Sequence, residues 1–167
     1  MPAHRFRGLI AAAFTPFHPD GAVHEERIEE QAARMIADDL AGVFVCGTTG
    51  EGPSLTTAER MRVAERWVRA AGTRLPVLVH VGHNCLEDCR DLAAHAERIG
   101  AAGIGCLAPS FFRPKNAGEL VDFSARVAAA APGLPFYYYH LPSVTGVHLP
   151  MLDFLAAAAP RIPTLAG

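Results

Sequence analysis

Phe136-Tyr137-Tyr138-Tyr139-His140-Leu141-Pro142-Ser143-Val144-Thr145-Gly146-Val147 is the stretch on which the reading of this chain turns. Three tyrosines behind Pro135 make a short aromatic strand. Pro142 ends it, because proline offers no N–H to a ladder and fixes its own φ, and a Ser-Val-Thr-Gly turn follows. That ending sets one phenol, Tyr139, at the rim where the strand hands over to a loop. A phenol so placed can pass a proton to or from a bound substrate. By strand alternation Tyr137 shares its face and reads as packing, whereas His140 points the other way and reads as structural.

Working outward, similar apolar runs recur at Gly8–Phe14, Val43–Cys46, Pro76–Val81, Ile104–Leu107 and, incomplete, Thr164–Gly167. Their starts lie roughly 30 residues apart, the length of one strand-helix unit in a parallel sheet. Continuous rather than alternating hydrophobicity suits strands covered on both faces. The pairs Thr56 and Glu59, Asn84 and Glu87, and Asn116 and Glu119 predict capped helix starts. Gly42 and Gly100 stand where the first and third helices should stop, in left-handed conformation. Thr57–Ala71 reads as a helix with Met61, Ala64, Trp67 and Val68 inward, and Arg60, Arg62, Glu65, Arg66 and Arg69 outward. Asp153 and Ala156–Ala159 read as a short helix against the wall of the sheet. The spacing leaves two architectures open: a doubly wound sheet or a closed eight-stranded barrel.

At 167 residues the chain suits one domain, spanning 1–167. Half the residues are hydrophobic and the mean hydropathy is +0.17, so it is globular rather than disordered. A net charge of -2 offers no electrostatic case for nucleic acid or an anionic membrane, and no apolar run reaches the ~18 residues of a membrane span. Arg5 and Arg7 before Gly8–Phe14 look like a short signal peptide. Thr15-Pro16-Phe17 and the Asp20-Gly21 turn follow too soon, so the run reads as a first strand. Cys46, Cys85, Cys89 and Cys106 lack metal or disulfide spacing and predict a reduced, cytoplasmic protein, with Cys85 and Cys89 on one face of a helix. His80, His83 and His95 have no convincing ligand partners, and His80 and His83 read as polar rim histidines; no metal is expected.

After the second run comes Gly47-Thr48-Thr49-Gly50-Glu51. Two hydroxyls and a run of backbone N–H groups in a tight turn suit a carboxylate; a glycine-rich turn with no ligand has the same pattern. It lacks the spacing of a dinucleotide turn and the Lys-Ser/Thr of a P-loop.

This turn, together with Tyr139-His140-Leu141-Pro142-Ser143-Val144-Thr145-Gly146, resembles the family of dihydrodipicolinate synthase and N-acetylneuraminate lyase, from Gly8 to Gly167. The resemblance implies an α/β (β/α)8 TIM barrel, here five βα units plus the start of strand 6. It implies that Thr48 and Thr49 hold a keto-acid carboxylate, that Thr48 also links to the catalytic phenol, and that Tyr139 is the proton shuttle. Gly47, Gly50 and Glu51 would support the turn. The implied partner is pyruvate or another small 2-keto acid, without a cofactor, in a homotetramer when the barrel is complete. Val144 stands where the synthase has an arginine, and Phe112 where it has a tyrosine reaching a neighbouring subunit. Both departures resemble the sialic acid lyase branch, whose implied activity is Schiff-base cleavage of N-acetylneuraminate. A deoxy-sugar acid aldolase or synthase of the same family, and a non-catalytic remnant, are the alternatives. In the family the Schiff-base lysine lies just beyond the position of Gly167. Lys115, the single lysine here, reads as a solvated loop residue. The expectation is a truncated product that associates or aggregates through bared barrel surface.

Overall fold

A computed structural model of the chain describes residues 6–167. Arg5, half of the signal-peptide reading, lies outside these residues; the run after it forms a strand. Five strands alternate with helices: β1 (Ile10–Ala12), α1 (Glu26–Ala37), β2 (Gly42–Val45), α2 (Thr57–Ala71), β3 (Val77–His80), α3 (Leu86–Arg98), β4 (Gly103–Cys106), α4 (Ala117–Ala128), β5 (Phe136–Tyr138), α5 (Pro142–Thr145) and α6 (Met151–Ala158). All ladders are parallel, and the order across the sheet is β1-β2-β3-β4-β5. A doubly wound sheet reverses its strand order at a switch point. This one never reverses, so it is the wall of a barrel.

Residues 164–167 run beside β5. The Phe136 N–H donates to the Thr164 carbonyl at 2.8 Å, Ala166 N–H to Phe136 at 2.8 Å, and Tyr138 N–H to Gly167 at 2.9 Å. Phe136 and Leu165 form an isolated parallel bridge there.

The two faces of the sheet differ. Toward the helices β2 and β3 present Val43, Val45, Val77 and Val79, all buried, and β4 adds Ile104. Trp67, Leu92, Leu120 and Phe154 belong to the same core. Toward the barrel interior stand Phe44, Leu78, Tyr137 and Tyr139 with two glycines of β4. A Cβ on Gly103 would meet Leu78 Cδ1 at 3.0 Å, and one on Gly105 would meet Phe44 Cε2 at 2.9 Å. β4 therefore yields its inward side to its neighbours' rings and chains.

Helix ends follow local chemistry, with three corrections. Thr56 and Glu59 form a full capping box, and Asn116 accepts from the Glu119 N–H. Asn84 does not cap α3; Cys85 occupies that N-cap. Instead Asn84 Oδ1 accepts from Ser110 N–H at 2.8 Å and Phe111 N–H at 3.0 Å, tying the β3–α3 connection to the β4–α4 connection. Gly100 does end α3 with φ +81°, but Gly42 opens β2, and the left-handed residue after α1 is Asp39 at φ 53°. Asp tolerates that region through its short polar side chain. Cys85 is the exposed N-cap and only Cys89, buried, lies within α3, so they are not two positions on one helix face.

Arg60 is the largest departure within α2. It is 2% exposed rather than solvated. Its Nη1 donates to the Gly82 carbonyl at 3.0 Å and its Nη2 to the His80 carbonyl at 2.6 Å. A guanidinium aimed at the end of β3 finds carbonyls that the ladder leaves unpaired, which the helical period cannot reveal.

Candidate active site

The Gly47–Glu51 turn leaves the end of β2, and Tyr139 follows the last residue of β5. In a parallel sheet both stand at the carboxyl end, the end from which ligands are approached in α/β folds. The turn is tightly determined. Glu51 N–H donates to the Thr48 carbonyl at 3.1 Å and Gly52 N–H to Gly47 at 3.0 Å. Thr15, just past β1, donates its hydroxyl to the Gly50 carbonyl at 2.6 Å. Cys46 and Glu51 bracket the turn at φ 57° and 53°, a region non-glycine residues rarely occupy. Such backbone persists only where surroundings over-determine it. Thr48 is exposed and Thr49 half-buried, while Gly47 and Gly50 are buried and Glu51 is exposed.

Tyr139 is half-buried. Its N–H donates to the Cys106 carbonyl at 2.8 Å, which holds it to the end of β4. Its ring meets Phe44 edge-on, with centroids 5.5 Å apart, and His80 at 6.2 Å. Phe44 in turn meets His80 at 5.8 Å. Gly47 sits on the same Phe44 ring, where a Cβ would come within 2.7 Å of Cε1. One aromatic side chain thus separates the turn from the phenol and touches both. Below this group lies a cavity of about 280 Å³ walled by Ile10, Ala12, Phe44, Leu78, Tyr137 and Tyr139, among others. A second hollow of about 150 Å³ opens at the same rim between His80, Gly82, Ser110, Val144 and Thr145.

His80 is not a rim residue as the sequence suggests: it is 2% exposed. Nδ1 lies 3.1 Å from the Cys46 carbonyl and 3.3 Å from Arg60 Nη2. Arg60 Nη2 already donates to the His80 carbonyl, so the network assigns the proton to Nδ1, which donates to Cys46. Nε2 is buried without a hydrogen-bond partner, and a Cβ on Gly82 would press within 2.8 Å of it. Burial, then the Arg60 charge, push the imidazole pKa down to about 3, and the Cys46 hydrogen bond opposes them. A neutral imidazole therefore buttresses the residue that leads into the turn. Burial likewise raises the Cys46 thiol to about 11, so it is no nucleophile.

Tyr138, on the opposite face, has a pKa raised to about 12, first by burial and then by Cys106. Its ring lies 4.6 Å from that of Phe154, tilted by 40°. His140 is exposed, and Lys115 is exposed in the loop before α4. His83 is a rim residue, paired with Asp88 at 3.2 Å, whereas His95 is buried on α3 and contacts Glu65 at 2.9 Å. Thr15, Phe44, Arg60 and His80 escape a reading by motif, since each acts through one contact across strands or helices.

Comparisons with known proteins place the chain in a family. The profile of the Dihydrodipicolinate synthetase family matches residues 5–162. The chain belongs to the dihydrodipicolinate synthetase family. It is 42% identical over 168 residues to the N-acetylneuraminate lyase of Gallus gallus, covering 99% of this chain and 54% of that protein. The solved N-acetylneuraminate lyase of Proteus mirabilis superposes with a TM-score of 0.95 at 40% identity, across 98% of this chain and 55% of that one. The dihydrodipicolinate synthase of Aquifex aeolicus gives 0.88 at 31% identity, across 95% and 53%. Within the dihydrodipicolinate synthetase family, then, the architecture is a partial (β/α)8 barrel, and the chain spans about half the length of the curated relatives it matches. Among the described residues no helix is long and apolar enough to cross a membrane.

Proposed function

We propose that this chain is part of a Schiff-base carbon-carbon lyase that cleaves N-acetylneuraminate to N-acetylmannosamine and pyruvate. The observation that carries the reading is one shared rim. A turn bearing Thr48 and Thr49 and a phenol on Tyr139 flank Phe44 at the carboxyl end of the sheet, in a chain about 40% identical to lyases of that name.

In this proposal the hydroxyls and amides of Thr48 and Thr49 hold the carboxylate of the open-chain keto acid. A lysine amine, expected on the sixth strand just past Gly167, condenses with the keto carbon and releases water. Tyr139 takes the proton from the C4 hydroxyl. The C3–C4 bond pair moves into the iminium, the aldehyde sugar leaves, and the enamine is protonated at C3 and hydrolysed to pyruvate. Gly47, Gly50 and Glu51 hold the turn in shape. Val144, half-exposed at the second hollow, gives that wall no cation, and Phe112 gives no phenol to relay a proton. Both residues favour a lyase over a synthase that binds a second carboxylate. The complete protein is proposed to be a cytoplasmic tetramer, in keeping with four unbridged cysteines.

The test uses the protein continued in frame past Gly167. Borohydride with pyruvate should leave one adduct on a lysine beyond that residue. N-acetylneuraminate should be cleaved, with Tyr139→Phe lowering kcat by about 10²–10⁴ while the adduct still forms. Trapping at Lys115, or cleavage of other keto acids with N-acetylneuraminate untouched, would overturn the reading.

A further inference from the structure

We propose that His18, His24 and Glu26 form a binding site for a divalent transition-metal ion of the zinc class, on the connection between β1 and α1. The three residues lie close together because a hairpin brings them there. Phe17 and Val23 bridge in antiparallel fashion. His18 N–H donates to the Ala22 carbonyl at 2.8 Å and Gly21 N–H to His18 at 2.9 Å, and Asp20 Oδ1 accepts from Ala22 N–H at 3.0 Å. His24 N–H donates to the Pro16 carbonyl at 2.8 Å. Both histidines thus hang from pinned backbone, so little main-chain entropy remains to be lost when a ligand orders them.

The donor atoms converge. The two imidazoles stack with centroids 3.9 Å apart and planes 22° from parallel. Each of the three residues offers one ligand atom, and all three atoms fall within 4.8 Å of one another. His24 Nε2 is 3.6 Å from Glu26 Oε2. Ligands at 2.0–2.1 Å on a tetrahedral ion stand about 3.4 Å apart, so this pair is nearly at coordination distance. His18 must leave its stack on His24 to join them, because each imidazole lone pair has to point at the ion in its own ring plane. Two nitrogens and one carboxylate suit zinc, nickel, cobalt or copper, whereas magnesium and calcium take oxygen cages. Half-buried imidazoles and an exposed carboxylate leave the fourth position to water.

None of these three residues walls the cavity beneath Tyr139, so the site is independent of the lyase reading. It lies on the same carboxyl end of the barrel, where a bound ion would close the neck of the first loop.

Equilibrium dialysis of the 167-residue chain against zinc chloride reads bound metal whatever the association state. One zinc per chain is expected, with affinity at least tenfold weaker in His18→Ala and His24→Ala and severalfold weaker in Glu26→Gln. His18→Gln and His24→Gln, which keep side-chain bulk, should lose affinity likewise, with unchanged far-ultraviolet dichroism. His148→Ala, an exposed histidine elsewhere, should bind as the parent does. Cobalt(II) should give tetrahedral d–d bands without thiolate charge transfer. Absent stoichiometric binding, parent-like affinity in the histidine variants, or a thiolate band would each overturn the site.

Discussion

His80 shows how a single side chain can dominate a local free energy without touching a substrate. In the folded chain its pKa is about 3, against an ordinary value near 6.5. Between those limits the unfolded chain binds the extra proton and the folded chain does not, so stability falls as pH drops from 6.5 toward 3. The expected loss is roughly 2 kcal/mol between pH 7.5 and pH 5. Urea midpoints across that range should show it, and His80→Asn should flatten the slope. A flat profile in the parent chain would mean the imidazole is not held neutral. The roles proposed for Thr48, Thr49 and Tyr139 rest on their residue types at strand ends, and the structure adds that the turn and the phenol stand at the same end of the sheet. The residues that hold them are less legible in sequence. Arg60 looks solvated in a charged helical stripe, and only the carbonyls at the end of β3 draw it inward.

At the scale of elements, capping boxes and strand spacing were readable because they are local: Thr56 and Glu59 find each other within one turn. Asn84 misleads for the same reason. Its spacing from Glu87 mimics a cap, yet its carbonyl oxygen reaches 26 residues ahead to the Ser110 N–H. A contact between two connections leaves no periodic trace. Asn84→Ala should cost about 1 kcal/mol through the loss of two exposed hydrogen bonds, and hydrogen exchange at Ser110 and Phe111 should speed up more than exchange in α4. Equal acceleration in both would show global destabilisation instead. After α1 the left-handed residue is Asp39 rather than a glycine, which leaves Gly42 to begin β2.

Across the whole molecule the sheet is an arc with an open side. Among the described residues β1 pairs only with β2, and Leu9 and Phe14 beside it are 77% and 69% exposed. An unpaired edge with exposed apolar side chains recruits another edge. Sedimentation of the isolated 167-residue chain should show association that Ile10→Lys reduces; a monodisperse monomer would contradict this. The interior of the arc carries a different consequence. Because positions 103 and 105 hold only hydrogen, β4 works as a depth gauge for the hollow. Gly105→Ala would lift its floor against Phe44 by one methyl, at about 1–3 kcal/mol of strain, while every group proposed to handle protons keeps its place. Thermal melts would register that strain. Under the proposed function, the length of substrate admitted would then be adjustable from a strand that carries neither Tyr139 nor the threonine turn.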